Sequence, residues 1–139
     1  MVMDRVSIYI PEGNMKTHKE ILIVEDEGDI GSLLKKFLEG NGFSVTLAED
    51  GRPAVGFLKE RHFDLLIIDM LLPGEHGMDL VNMKGDNFIT PIILISGVYN
   101  EADVLLRTKD SSVKFFIKKP FDLDDLLRKV NSAINADQI

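Results

Sequence analysis

Residues 65–69 of this chain read Leu-Leu-Ile-Ile-Asp, a continuous apolar run that ends in a carboxylate. A short apolar run of this kind is typical of a strand that is buried on both faces of a parallel sheet. An ionised group placed directly after such a strand is costly unless it lies at the mouth of the strand beside a partner or a metal ion. Asp69 is therefore the first candidate for a functional residue.

Three more apolar runs end in polar side chains in the same way. They are residues 21–24, followed by Glu25 and Asp26, residues 92–95, followed by Ser96, and residues 115–117, followed by Lys118 and Lys119. In open parallel sheets, ligands bind beyond the carboxyl ends of the strands. We therefore expect these carboxylates, the hydroxyl and the amine to form one site at that edge of the sheet.

Strand and helix patterns alternate from residue 20 onward. The predicted strands are residues 20–25, 44–48, 65–69, 91–96 and 114–118. Apolar residues at helical spacing predict five helices, over residues 30–38, from Asp50 to Leu58, from Met78 to Met83, from Ala102 to Leu106, and from Leu123 to Ile134. Five such units predict an α/β fold with a single doubly wound, five-stranded parallel sheet and helices on both faces.

Two local signals mark helix ends. Gly40-Asn41-Gly42 is a typical helix stop, and Asp50-Gly51-Arg52-Pro53 reads as a helix start with proline in the first turn. The last helix begins at Asp122 or at Asp124-Asp125.

The composition narrows the class of protein. The 139 residues carry a formal net charge of -7, which disfavours nucleic-acid binding by this domain. There are no cysteines, so disulfides and thiolate metal sites are excluded. No apolar stretch approaches the roughly 20 residues needed to cross a bilayer. We expect a cytoplasmic protein with no membrane partner.

Residues 1–19 differ from the rest of the chain. A short alternating segment, Val6 to Ile10, is broken by Pro11-Glu12-Gly13-Asn14. We interpret residues 1–19 as a poorly ordered extension, which is native, the result of a start-site choice or a remnant of cloning, and residues 20–136 as the folded domain.

The expected site suits phosphoryl transfer onto a carboxylate. Asp26 and Asp69, if about 4 Å apart, would repel each other by about 4 kcal/mol at an effective dielectric constant near 20. A proton or a hard cation relieves this repulsion, and Mg²⁺ suits oxygen ligands shared with a phosphate. Lys119 and Ser96 can then contact other phosphoryl oxygens while Asp69 attacks to form an acyl phosphate.

Each residue taken alone also has an ordinary structural interpretation. Asp26 could cap a helix, Glu25 could be a solvated charge, Ser96 a turn residue and Lys119 a surface lysine. The combination is stronger than any one of them, because all of these residues fall at strand ends.

Four motifs together resemble a known family. They are residues 21–27, Asp69-x-x-x-Pro73-x-x-x-Gly77, Ser96-Gly97 and Lys119-Pro120-Phe121. Residues 20–136 resemble the receiver domain of two-component response regulators. The resemblance implies a flavodoxin-like fold with strand order 2-1-3-4-5.

The resemblance also implies a role for each residue of the site. Asp69 would be the phosphoacceptor, paired with Lys119 and hydrogen-bonded through Ser96. The donor would be a histidine of a sensor kinase or of a histidine phosphotransfer protein. The implied ligands of Mg²⁺ (or Mn²⁺) are Asp26, Asp69, the Met70 carbonyl and, through water, Glu25.

A switch is implied as well. Phosphorylation would draw the Ser96 hydroxyl toward the site and turn Phe116 inward. This would change the face made by the fourth predicted helix, the fifth strand and the fifth predicted helix, through which a homodimer could form. Phe116 could equally be a plain core aromatic.

Two positions that tune the lifetime of the phosphoryl group in this family are apolar here. They are Leu71, two residues after the acceptor, and Val98, two residues after the hydroxyl residue. Neither side chain can orient an attacking water by hydrogen bonding. We therefore expect slow self-dephosphorylation. As a phosphoacceptor, the domain is expected to catalyse only its own phosphoryl transfer and to have no enzyme activity on other substrates.

The sequence argues against two other functions and leaves a third open. An aspartyl phosphohydrolase of the haloacid-dehalogenase type would need a second aspartate where this chain has Leu71. A flavin- or nucleotide-binding module would need a glycine-rich loop after the first strand, where residues 25–27 are acidic. A pseudo-receiver that works without phosphorylation remains an alternative.

Overall fold

The computed structural model describes residues 18–70, 80, 89–98 and 112–135. The N-terminal residues 1–17 lie outside this described part. So do Leu71, most of the predicted third helix and the whole of the predicted fourth helix.

The sheet has five parallel strands in the order β2-β1-β3-β4-β5. The strands are β1 (Glu20–Val24), β2 (Ser44–Ala48), β3 (Leu65–Asp69), β4 (Ile92–Ser96) and β5 (Val113–Lys118). The predicted fold class and the flavodoxin-like order 2-1-3-4-5 are thereby confirmed. All five strand predictions are correct to within one residue at each end.

Three helices lie in the described part of the chain: α1 (Gly28–Gly40), α2 (Gly51–Glu60) and α3 (Leu123–Asn135). The third of these is the fifth predicted helix. Its start is set by Asp122, whose Oδ1 accepts a hydrogen bond from the backbone N–H of Asp124 at 2.7 Å. Among the described residues, no helix is long and apolar enough to cross a membrane.

The other predicted helix ends are also confirmed. The Asp50 side chain accepts from the backbone N–H of Arg52 at 2.9 Å and so caps α2. Helix α1 stops at Gly40, and Gly42 follows with φ +94°, a conformation that glycine adopts without strain.

Alternate residues of the strands fill two separate cores. Leu22, Leu66 and Leu94 face one way and pack with the α2 residues Ala54 and Leu58. Their neighbours in sequence face the other way and pack against α1 and α3 in a second cluster. From the strands this cluster includes Ile23, Ile67 and Ile95, and from the helices it includes Leu34, Leu38, Leu126 and Val130. The central strands β1, β3 and β4 are apolar along nearly their whole length because both faces of the sheet are covered.

Candidate functional site

Backbone hydrogen bonds continue past the ends of the strands and fix the residues that follow them. Glu25 N–H donates to Ala48 O at 3.0 Å, and Met70 N–H donates to Ile95 O at 2.9 Å. Lys119 N–H donates to Ser96 O at 2.8 Å. Side chains just beyond β1, β3 and β5 are therefore held at one edge of the sheet, as the sequence predicts.

Lys119 is the centre of this edge. Its Nζ lies 2.9 Å from Glu25 Oε1, 2.8 Å from Glu27 Oε1 and 3.0 Å from Asp69 Oδ2. The Lys119 side chain is only 14% exposed. This rules out the interpretation of Lys119 as an ordinary surface lysine. The Lys119–Pro120 peptide bond is cis.

The three carboxylates differ sharply in exposure. The side chains of Glu25 and Asp69 are 1% and 7% exposed, whereas that of Glu27 is 57% exposed. Two acidic groups are thus buried against one ammonium group, with a third at the solvent boundary. The site carries two more negative than positive charges when all four groups are ionised.

This burial changes the acid–base properties of the site. Burial raises the pKa of Glu25 from 4.5 to about 7, although hydrogen bonds from Lys119 and from the Glu27 N–H partly oppose the rise. For Lys119, burial lowers the pKa, but hydrogen bonds to Glu27, Glu25 and Asp69 outweigh burial and raise it. Lys119 therefore stays charged throughout the physiological range.

The carboxylates also fit a hard cation. One oxygen from each of Glu25, Glu27 and Asp69 lies within 4.8 Å of the others. Glu25 Oε1 is buried and, apart from its ion pair with Lys119 Nζ at 2.9 Å, has no hydrogen-bond donor among the described residues. A buried carboxylate oxygen with unused acceptor capacity, beside two other acidic groups, is the donor set that Mg²⁺ prefers.

The predicted ligand set and the observed cluster overlap but are not identical. Asp26, predicted as a direct ligand, is exposed and lies outside the cluster of three carboxylates found among the described residues. It does not cap α1 either, since the N-cap residue is Glu27. Sequence reasoning missed Glu27. The signal was available, because Glu27 is two residues from Glu25 in an uninterrupted acidic run.

Ser96 lies at the end of β4, buried to 99%, in the position that the sequence predicts. Its Oγ accepts a hydrogen bond from the backbone N–H of Val98 at 3.0 Å. This local bond is the turn interaction considered for Ser96 alone. It also orients the hydroxyl oxygen. Val98 itself is 64% exposed, next to the site.

Phe116 is half-buried on β5 and packs against the core cluster on the α2 side of the sheet. It also lines an open groove together with Phe121 and Lys129. Phe116 is thus neither sealed in the core nor fully exposed. Its predicted part in a switch stays a prediction.

Comparison with known proteins places this arrangement in a family. Residues 21–131 match the family model described as the response regulator receiver domain. Protein PetR of Rhodobacter capsulatus is 32% identical over 114 residues, which cover 82% of this chain and 48% of PetR. The chain spans about half the length of the curated relatives it matches.

Solved structures are similar over nearly the same range. A receiver domain of a Francisella response regulator has a TM-score of 0.77 and 27% identity, covering 86% of this chain and 98% of that one. A beryllofluoride-activated dimer of the NtrC4 receiver domain has a TM-score of 0.76 and 25% identity, covering 84% of this chain and 97% of that one.

Proposed function

Since this chain belongs to the response regulator receiver family of two-component signal transduction, we propose that it accepts a phosphoryl group on Asp69. The observation that carries the proposal is the contact of Asp69 Oδ2 with Lys119 Nζ at 3.0 Å, at the mouth of β3. A carboxylate that is nearly buried yet placed at the sheet edge beside a fixed cation is suited to attack a phosphorus atom.

In the proposed reaction, one Asp69 carboxylate oxygen forms a bond to phosphorus. The bond between phosphorus and the donor breaks, and its electron pair leaves with the donor. When the donor is a phosphohistidine, the broken bond is P–N, and the product on Asp69 is an acyl phosphate. Lys119 offsets the negative charge of the phosphoryl oxygens, and the Ser96 hydroxyl donates a hydrogen bond to one of them.

A divalent ion, Mg²⁺ or Mn²⁺, would supply further positive charge to the phosphoryl oxygens when bound. The family resemblance assigns it to Asp26, Asp69, the Met70 carbonyl and, through water, Glu25. The carboxylate cluster supports Glu25 and Asp69 and adds Glu27 as a candidate.

The proposed donor partner is a sensor histidine kinase or a histidine phosphotransfer protein. The proposed response is a rearrangement of Ser96 and Phe116 that alters the face made by the fourth predicted helix, β5 and α3. Dimerisation is supported by analogy with the NtrC4 receiver domain, whose beryllofluoride-activated form is a dimer. We propose that a dimer of this chain would use that face.

The chain is not proposed to be an enzyme with an external substrate. Its only catalysis would be its own phosphorylation and slow loss of the phosphoryl group. The apolar side chains of Leu71 and Val98 support slow loss, because they offer an attacking water no hydrogen bond. We propose that the protein acts in the cytoplasm and that this domain binds no nucleic acid.

The test is the intact mass of the protein after incubation with acetyl phosphate, with and without Mg²⁺, beside Asp69→Asn. We expect a gain of one phosphoryl group that requires both Mg²⁺ and Asp69. No gain with acetyl phosphate or with a phosphorylated histidine donor would favour the alternative, a pseudo-receiver that works without phosphorylation.

A further inference from the structure

The Glu27 carboxylate makes the shortest of the three ion pairs of Lys119, at 2.8 Å. The pairs with Glu25 and Asp69 measure 2.9 Å and 3.0 Å. An ammonium group has three N–H donors. Three carboxylates can therefore occupy all the donors of Lys119, and a phosphoryl oxygen can gain one only if a carboxylate gives it up.

The three carboxylates differ in how readily each can give up its contact with Lys119. Withdrawing Lys119 from Glu25 would take the ammonium group from a buried carboxylate, which is unfavourable. Asp69 is buried as well, and it must keep Lys119 beside it as long as it is an anion, that is, until it attacks phosphorus. Glu27 is 57% exposed, so water can replace the ammonium group there. Exposed ion pairs are weak. Glu27 is therefore the partner that Lys119 can exchange at the least cost.

The backbone of Glu27 helps to form the start of α1, whereas its side chain does not. Glu27 is the N-cap residue of α1, and its carbonyl accepts from the N–H of Gly31 at 2.9 Å. Its side chain makes no capping hydrogen bond. A substitution that keeps the size of the side chain should thus leave the start of α1 intact.

We propose that Glu27 is a positioning residue that holds Lys119 in the resting site and yields one of its N–H donors to the incoming phosphoryl group. This inference rests on the proposed phosphoacceptor function of Asp69. The O–P bond to Asp69 forms while the bond from phosphorus to its leaving group breaks, and the electron pair of the broken bond departs with that group. During this step a phosphoryl oxygen replaces the Glu27 carboxylate as a hydrogen-bond partner of Lys119. Removing the charge of Glu27 weakens its hold on that donor in advance, because a neutral amide oxygen competes less well than a carboxylate for the ammonium group.

The experiment compares the rate constants of phosphorylation by acetyl phosphate, followed by intact mass over a series of Mg²⁺ concentrations that reaches saturation. The proteins are the wild type, Glu27→Gln and Asp29→Asn. Asp29 is exposed in the first turn of α1, and in the described part of the chain it has no ion pair with Lys119. Asp29→Asn thus removes the same charge nearby without freeing a Lys119 donor.

We expect Glu27→Gln to be phosphorylated about two- to fivefold faster than the wild type, the gain expected from releasing one exposed ion pair. Asp29→Asn should stay near the wild-type rate. Thermal unfolding midpoints that agree among the three proteins would show that the fold is intact and that the change is local.

Equal acceleration in both variants would overturn the proposal in favour of a general charge effect. An unchanged rate in Glu27→Gln would overturn it directly. A slower rate with a higher Mg²⁺ requirement would overturn it by making Glu27 a metal ligand. If none of the three proteins is phosphorylated, the function proposed for Asp69 fails, and this inference fails with it.

Discussion

Replacing Glu25 by glutamine should stabilise the metal-free protein at alkaline pH. Glu25 is 1% exposed, and its pKa is raised to about 7 chiefly because burial disfavours the charged form. The glutamine amide can donate to Asp69 as the protonated carboxyl group would, and its oxygen can still accept from the Glu27 N–H. The variant therefore keeps the contacts with Asp69 and the Glu27 N–H, and it gives up the ion pair with Lys119 together with a charge that the fold tolerates poorly.

The size of the effect follows from linkage between protonation and folding. A pKa of 4.5 in the unfolded chain and about 7 in the folded protein means that the folded state binds more protons between these values. Stability therefore falls as the pH rises through this window. At 1.36 kcal/mol per pKa unit, ionised Glu25 lowers the free energy of unfolding by about 3 kcal/mol above pH 7.

The assay is equilibrium urea unfolding in the presence of a chelator at pH 5, 6, 7 and 8. Glu25→Gln should be more stable than the wild type by up to about 3 kcal/mol at pH 8, and the difference should shrink toward zero near pH 5. The control is Glu49→Gln, which removes an exposed carboxylate after β2. Excess Mg²⁺ should reduce the advantage of Glu25→Gln, because a cation beside Glu25 favours its charged form.

A difference between Glu25→Gln and the wild type that is constant from pH 5 to pH 8 would refute the reasoning, since it would not arise from ionisation. Loss of stability in Glu25→Gln at pH 8 would refute it as well. In that case the stabilisation by the ion pair with Lys119 would exceed the free-energy cost of burying the ionised Glu25 carboxylate.

Three further results are expected. Gly42→Ala should lower the free energy of unfolding by about 1 kcal/mol, because residue 42 has a positive φ. Gly40→Ala, at the last residue of α1 where an added Cβ would meet no other atom, should raise the free energy of unfolding slightly, and urea unfolding of the two variants tests both signs. Leu58→Ala in the buried face of α2 should lower it by about 3 kcal/mol, and a loss below 1 kcal/mol would mean that this core is loosely packed. Val98→Glu should shorten the lifetime of phosphorylated protein, measured by intact mass after removal of the phosphodonor, and an unchanged lifetime would contradict the role given to this position.

The order of strands and helices could be predicted because it depends on short-range patterns. Continuous apolar runs such as residues 65–69 are explained by burial on both faces, and helical spacing in residues 30–38 is explained by burial on one. Caps are equally local, since Asp50 needs only a backbone N–H two residues away. These signals predict five strands and the three described helices with small errors at their ends.

The sequence is sufficient to predict where in the fold the candidate site lies. Polar residues after apolar strands must lie at the carboxyl edge of a parallel sheet, and this argument alone brings Glu25, Asp69, Ser96 and Lys119 together. The family resemblance added roles to these residues. It did not reveal which neighbouring acidic residue approaches the lysine.

That choice depends on the tertiary structure. Lys119 and Glu27 are 92 positions apart, and their contact exists only because β5 and β1 end at the same edge with a fixed register. Whether Asp26 or Glu27 turns toward the lysine depends on the path of the chain between β1 and α1, which short-range patterns do not specify. The raised pKa of Glu25 likewise arises from burial by surrounding strands rather than from its neighbours in sequence. Local patterning therefore determines the elements and the edge where the chemistry lies, whereas long-range packing determines which charges meet there, because electrostatic energy depends on distances and burial that exist only in the folded chain.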